Sequence, residues 1–317
     1  MPLTRADGRG NDDIRPLRVV YERLDKVDGS ARFAFGTSCE VLLKLSLSHL
    51  THFLIRGKGE TQSLASVSGP IEVRFAAEQP SKATFEVNVR PLSSLPGTES
   101  KALATSLRSL LSPSIILSRN PRTLIQLVVQ SLTPSPVEGF SPSLVAACIN
   151  ASSLALLNAG SIPMNNVICA VAVSSLLCTA TEQDPAASVP VLDPSEAESR
   201  EGVGNGCFAF AFSFSPTTAT SGSQQSPDRP AARLVWTNWH AKDGVFDEEE
   251  FTRAQAVGVA GAEAVWRAIK LSVPQMDGSP FLLPPGRPSA EAFKNVAPSD
   301  DGLMIGDQQS DDAKVEI

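Results

Sequence analysis

The chain has 317 residues, 42% of them hydrophobic and 19% charged, with a formal net charge of −7. That composition supports a sizeable globular core and excludes a free-standing nucleic-acid binder with a broadly basic face. Five widely spaced cysteines (Cys39, Cys148, Cys169, Cys178 and Cys207) without a C-x-x-C pair read as reduced thiols, not as a disulfide frame. The histidines His49, His52 and His240 are too scattered for a zinc site. The N-terminus carries no apolar signal region, and the longest apolar stretch, residues 45–55, is too short to cross a bilayer. The expectation is a soluble intracellular protein without membrane contact.

In chain order, residues 1–15 are charged and contain glycine, which suggests a mobile arm. Residues 61–69 and 71–77 read as strands joined at Gly69-Pro70. Residues 82–90 alternate, with Ala83, Phe85, Val87 and Val89 on one side and Thr84, Glu86, Asn88 and Arg90 on the other, as in a half-buried strand. Residues 99–111 have helical composition, with Leu103, Leu107, Leu110 and Leu111 as the apolar stripe. Residues 123–129 are apolar and β-branched, a further strand. Residues 141–159 form the clearest helix: Ser141 suits its cap, Pro142 its first turn and Gly160 its end. Its expected core stripe is Val145, Cys148, Ile149, Ser152 and Leu156.

Strands follow at residues 167–176, 207–214 and 234–239, the second with Phe208, Phe210, Phe212 and Phe214 on one face. A last helix begins near Asp247, where Glu248, Glu249 and Glu250 favour a helix N-terminus, and runs to about Leu271. Residues 215–230 read as a flexible loop and residues 274–317 as a disordered acidic tail. The order predicts an α/β (α+β) two-layer domain with a mixed sheet over residues 16–273.

Several segments carry a resemblance. Asp28-Gly29-Ser30-Ala31 with Phe33, Gly69-Pro70 with Glu72-Val73, and the run Lys82-Ala83-Thr84-Phe85-Glu86-Val87 followed by Arg90-Pro91 come first. Pro121-Arg122-Thr123, Asn150-Ala151 with Leu154-Ala155-Leu156, and Asn158-Ala159-Gly160 with Ile162-Pro163-Met164 complete the set. In this order and spacing, from Asp28 to about Leu271, the chain resembles the RNase PH family, and within it the ring subunits of the eukaryotic RNA exosome. The resemblance implies a single RNase PH fold in a hetero-hexameric ring of RNase PH-like subunits. It further implies RNA-binding cap subunits, a separate catalytic nuclease, single-stranded RNA in the channel, and a place in the nucleus, nucleolus and cytoplasm.

Active members of the family cleave RNA by phosphorolysis, which needs a cradle for phosphate and a metal to stabilise charge. The corresponding stretch here, residues 136–142, has no arginine or lysine; Glu138 would repel phosphate and Pro142 removes a backbone donor. The first family metal ligand falls on Asp193, and six residues on stands Ser199, a poor hard-metal ligand. Glu196 and Glu198 are read as solvated loop residues and Asp193 as a turn or capping residue. The expectation is therefore no catalytic residue, no metal and no cofactor.

Arg108 occupies the position of an RNA-contacting arginine in active relatives, with a surface ion pair as the alternative; Lys101 is a weaker candidate for the channel wall. Arg122 is expected to stabilise the turn before its strand. Gly139-Phe140-Ser141-Pro142-Ser143 lacks the closing glycine of a nucleophile elbow, and no Gly-rich phosphate loop is present. Trp236, Trp239 and Trp266 read as core or interface aromatics. The leading function is a non-catalytic ring subunit; the alternative is an active phosphate-dependent 3′-to-5′ exoribonuclease. Residues 37–59 interrupt the family pattern, either as a docked helix or as a retained intron in the gene.

Overall fold

The computed structural model describes Arg5 and residues 7–36, 60–92, 95–134, 140–177, 188–213, 232–242, 244, 247–276 and 280–284. The expectations for residues 37–59, 215–230, 285–317 and Glu138 lie outside the described residues.

The fold is mixed α/β, built on two sheets. The first contains β1 (Leu17–Tyr21), β2 (Gly29–Phe35), β3 (Thr61–Glu72), β4 (Thr84–Arg90), β5 (Thr123–Ser131) and β11 (Phe281–Leu283), in the order β11-β1-β2-β3-β5-β4. All its neighbours are antiparallel except β4 and β5. The second holds β6 (Asn166–Leu177), β7 (Ser188–Leu192), β8 (Gly204–Ser213), β9 (Ala232–Thr237) and β10 (His240–Ala241), all antiparallel, with β8 between β6 and the pair β9 and β10. The helices are α1 (Thr98–Leu111), α2 (Pro142–Ala159), α3 (Glu196–Glu201) and α4 (Glu248–Ser272).

Helix α2 forms as its ends dictate. The Ser141 hydroxyl accepts the N–H of Leu144 at 3.4 Å, Pro142 opens the first turn, and Gly160 closes it at φ +60°. It packs on both sheets, so residues 143–156 are buried all round instead of along one stripe. By length and composition α2 would also suit a membrane span, but it lies inside the protein core.

Strand β8 shows how the layers fit. Its even positions Phe208, Phe210 and Phe212 lie under α4, where Phe208 meets Phe251 and Phe212 stacks on Trp266. Its odd positions turn to the opposite face, where Cys207 neighbours Cys148 of α2, and small side chains let the helix approach closely. Burial raises the thiol of Cys148 to about 11 and raises those of Cys169 and Cys207 as well, which leaves all three inert. Trp239 packs against Phe208 as a core aromatic.

Three expectations need correction. Where the sequence suggests a mobile arm over residues 1–15, Arg5 and Arg15 are buried and ion-paired. Where it suggests a disordered tail from residue 274, Phe281–Leu283 pairs with β1 as an edge strand and buries Phe281 and Leu283. The two strands expected at 61–77 are also one, continuing through a bulge between Ser68 and Ile71 before a 3-10 turn at Phe75–Ala77.

Candidate nucleic-acid interface

Helix α1 buries Leu103, Leu107, Leu110 and Leu111 and leaves the adjoining face open. Lys101, Thr105 and Arg108 share that face, because steps of three, four and seven residues return to the same side of a helix. Lys101 and Arg108 stand two turns apart, roughly 10 Å along the axis. Opposite them runs β4, which among the described residues is an edge strand paired only with β5. Between the two elements lies a groove of about 670 Å³, lined by Glu86, Asn88 and Arg90 on the strand side and Lys101, Thr105 and Arg108 on the helix side.

Arg90, Lys101 and Arg108 are exposed, and none of them has a salt bridge among the described residues. The three cations face one carboxylate, Glu86, so the groove is locally basic on an acidic chain. The Thr105 hydroxyl donates to the Lys101 carbonyl at 2.9 Å and is occupied within the helix. The structure thus brings Arg108 and Lys101 into one feature, and adds Arg90. The alternation over β4 already placed Arg90 opposite the apolar face, but nothing in the sequence says that an exposed strand position borders a groove.

Arg122 lies apart. It adopts φ +61° in the turn before β5, pairs with Glu78 at 3.3 Å, and its N–H reaches the Gln79 carbonyl. That is the turn-stabilising role expected of it.

The second region surrounds Asp193. This residue sits in the turn after β7 at φ +48°, fully buried, and its side chain caps no helix. Arg15 donates from Nε to one carboxylate oxygen at 2.8 Å and from a terminal nitrogen to the other at 2.6 Å. The Arg15 backbone N–H adds a third bond at 3.0 Å, and Arg9 stands 3.6 Å away. Burial, the largest single influence, would raise the Asp193 pKa, but the Arg15 charge and hydrogen bonds together with the Arg9 charge outweigh it and hold the carboxyl below its usual value.

Glu198, expected on a solvated loop, is instead 7% exposed. It completes a capping box with Ser195 at the start of α3 and takes two bonds from Arg5, at 2.9 and 2.8 Å. Burial opposes its ionisation, and Arg5 with Ser195 more than offsets this, lowering its pKa. Glu196 is exposed and pairs with Arg200. Ser199 donates its backbone N–H within α3, to Ser195. Among the described residues, no three His, Cys, Asp or Glu side chains gather into a metal-binding group. In the stretch that corresponds to the phosphate cradle of active relatives, Ser141 is spent on the α2 cap and Pro142 lacks an N–H.

Residues 13–161 match the model for the 3′ exoribonuclease family, domain 1 of RNase PH. Over that stretch, and with this fold around it, the chain is similar to the RNase PH family. It is 26% identical to the exosome complex exonuclease RRP46 homolog of Oryza sativa, over 84% of this chain and 93% of that protein. Against the exosome complex component RRP46 of Saccharomyces cerevisiae it is 35% identical, over 36% of this chain and only 52% of that protein, so that match spans about half of the yeast relative. The crystal structure of rice Rrp46 superposes with a TM-score of 0.60 at 24% identity, covering 85% of this chain and all of that one, and shares the fold.

Proposed function

We propose that the chain is an RNase PH-like subunit of an exosome core ring, which helps shape the path of single-stranded RNA and does not itself cleave it. The observation that carries the non-catalytic part is the closure of Asp193 by Arg15. Both carboxylate oxygens are taken by one guanidinium, at 2.8 and 2.6 Å, and a metal would have to displace it. Ser199 in place of a second carboxylate supports the same reading. Similarity along nearly the whole length of the rice RRP46 homolog supports the ring. The partners are then other RNase PH-like subunits in a hetero-hexamer, RNA-binding cap subunits and a separate nuclease, in the nucleus, nucleolus and cytoplasm.

Because the rice relative is named an exonuclease, the decisive experiment is enzymatic. The purified full chain is incubated with end-labelled RNA and magnesium, with and without inorganic phosphate. No phosphate-dependent shortening is expected; shortening that disappears in Asp193→Asn would establish the phosphorolytic alternative.

The groove supplies the RNA contact of this reading, through Arg108 and Lys101. Arg108→Ala is expected to weaken binding of single-stranded RNA and to lower the log–log salt slope by about 0.7, the loss of one phosphate contact. Lys101→Ala should do the same. Slopes equal to that of the unaltered protein would return both residues to ordinary surface roles.

A further inference from the structure

We infer that the groove between α1 and β4 takes a single strand with its bases turned inward and its phosphates along the rim, and that Arg90 is the third phosphate contact. This rests on the groove being an RNA path, and it concerns how the strand lies there. Lys101 and Arg108 stand on the helix wall, whereas Arg90 closes the end of the strand wall. Cations on both walls fit a backbone that runs between two elements better than one that follows α1 alone.

The interior of the groove favours bases. Val87, Ala104 and Pro96 contribute apolar surface to its lining, beside the carboxylate of Glu86. A phosphate pressed inward would meet that carboxylate and lose water against carbon, while on the rim it meets a guanidinium or an ammonium. A base has flat, partly apolar faces and polar edges. The outer edge of β4 has no strand partner among the described residues and so presents backbone N–H and C=O groups to such edges. The Asn88 amide, exposed beside them, both donates and accepts. A duplex has its Watson–Crick edges already paired and its bases stacked, so it cannot turn them into a cleft between a helix and a strand.

The test is fluorescence anisotropy of the full chain with a labelled oligouridylate, and with an RNA duplex of equal length, over a series of salt concentrations. Arg90→Ala should lower the single-strand slope by about 0.7, and combined with Arg108→Ala by about 1.4. Arg90→Lys should keep the slope, since the point charge remains. The duplex should bind more weakly than the single strand, and Arg90→Ala should narrow that difference. An unchanged slope for Arg90→Ala beside a lowered one for Arg108→Ala overturns the role of Arg90 and leaves the groove as an RNA path. Unchanged slopes for both overturn the path as well. A duplex bound as tightly as the single strand overturns the inward placement of the bases.

Discussion

Replacing Arg15 with alanine is expected to cost about 3–5 kcal/mol of folding stability at neutral pH, the scale for breaking a buried ion pair by removing one partner. The reason lies in what remains. Asp193 is fully buried and would lose both guanidinium hydrogen bonds, keeping only the backbone N–H of residue 15 and Arg9, the nearest other cation, at 3.6 Å. Denaturant unfolding followed by tryptophan fluorescence measures the loss. Changing both partners to apolar residues of similar size should cost much less than either single change, because no charge is then stranded.

The pH dependence has a definite sign. In the unaltered protein the Asp193 carboxyl titrates below its usual value of 3.8, as does Glu198 below 4.5. A depressed folded pKa contributes stability that is present above the unfolded value and lost as pH falls through the folded one. The unaltered protein should therefore weaken below about pH 4. In Arg15→Ala, burial dominates and Asp193 takes up its proton at higher pH. The stability gap between the two proteins should be widest near neutrality and narrow on acidification. A gap independent of pH would mean that Asp193 is not the group responsible.

The second large effect is steric. Gly29 opens β2 directly against the C-terminal turn of α2: a Cβ there would lie 2.4 Å from the Ala159 nitrogen and 2.5 Å from the Ala155 carbonyl oxygen. Both are backbone atoms of a helix buried between two sheets, and the Asn158 amide ties the neighbouring Ser30 carbonyl at 3.0 Å. Neither side can yield cheaply. Gly29→Ala should cost about 3 kcal/mol or more, at or beyond the upper end for overpacking. Gly97, with nothing within 4 Å of its hypothetical Cβ, is the control, and its alanine variant should lose less than about 1 kcal/mol. Equal losses at the two positions would show that close approach of strand and helix is not what makes Gly29 necessary.

Local signals made the three long helices and most long strands legible, while the short α3 was read as a loop. The Ser141 cap, the Gly160 terminator and the Asp247 cap all act where composition placed them, because each works within one turn of its own residue. The phenylalanine stripe of β8 was legible as a stripe, but its partner was not. The even face is covered by α4 of the same chain, so it offers no argument for a neighbouring subunit. The arm was misread because the partners of Arg5 and Arg15, Glu198 and Asp193, stand far along the sequence. Charge near a terminus looks solvated until its distant counter-charge is known. Strand β11 was missed because three residues are too few for alternation to register. Arg108 and Lys101 were legible through the family resemblance, while Arg90 required the edge position of β4.

Strand β11 also bears on how the protein is made. Leu17 pairs with Leu283 and Val19 with Phe281, so β1 is completed by a strand that leaves the ribosome after every other strand described here. Until residues 281–283 emerge, β1 carries a bare hydrogen-bonding edge, and the pockets for Phe281 and Leu283 stand empty. Bare edges invite pairing with other chains. A nascent chain that stalls before this segment is therefore a candidate for aggregation, and a chaperone that shields the edge of β1 would act until β11 is made.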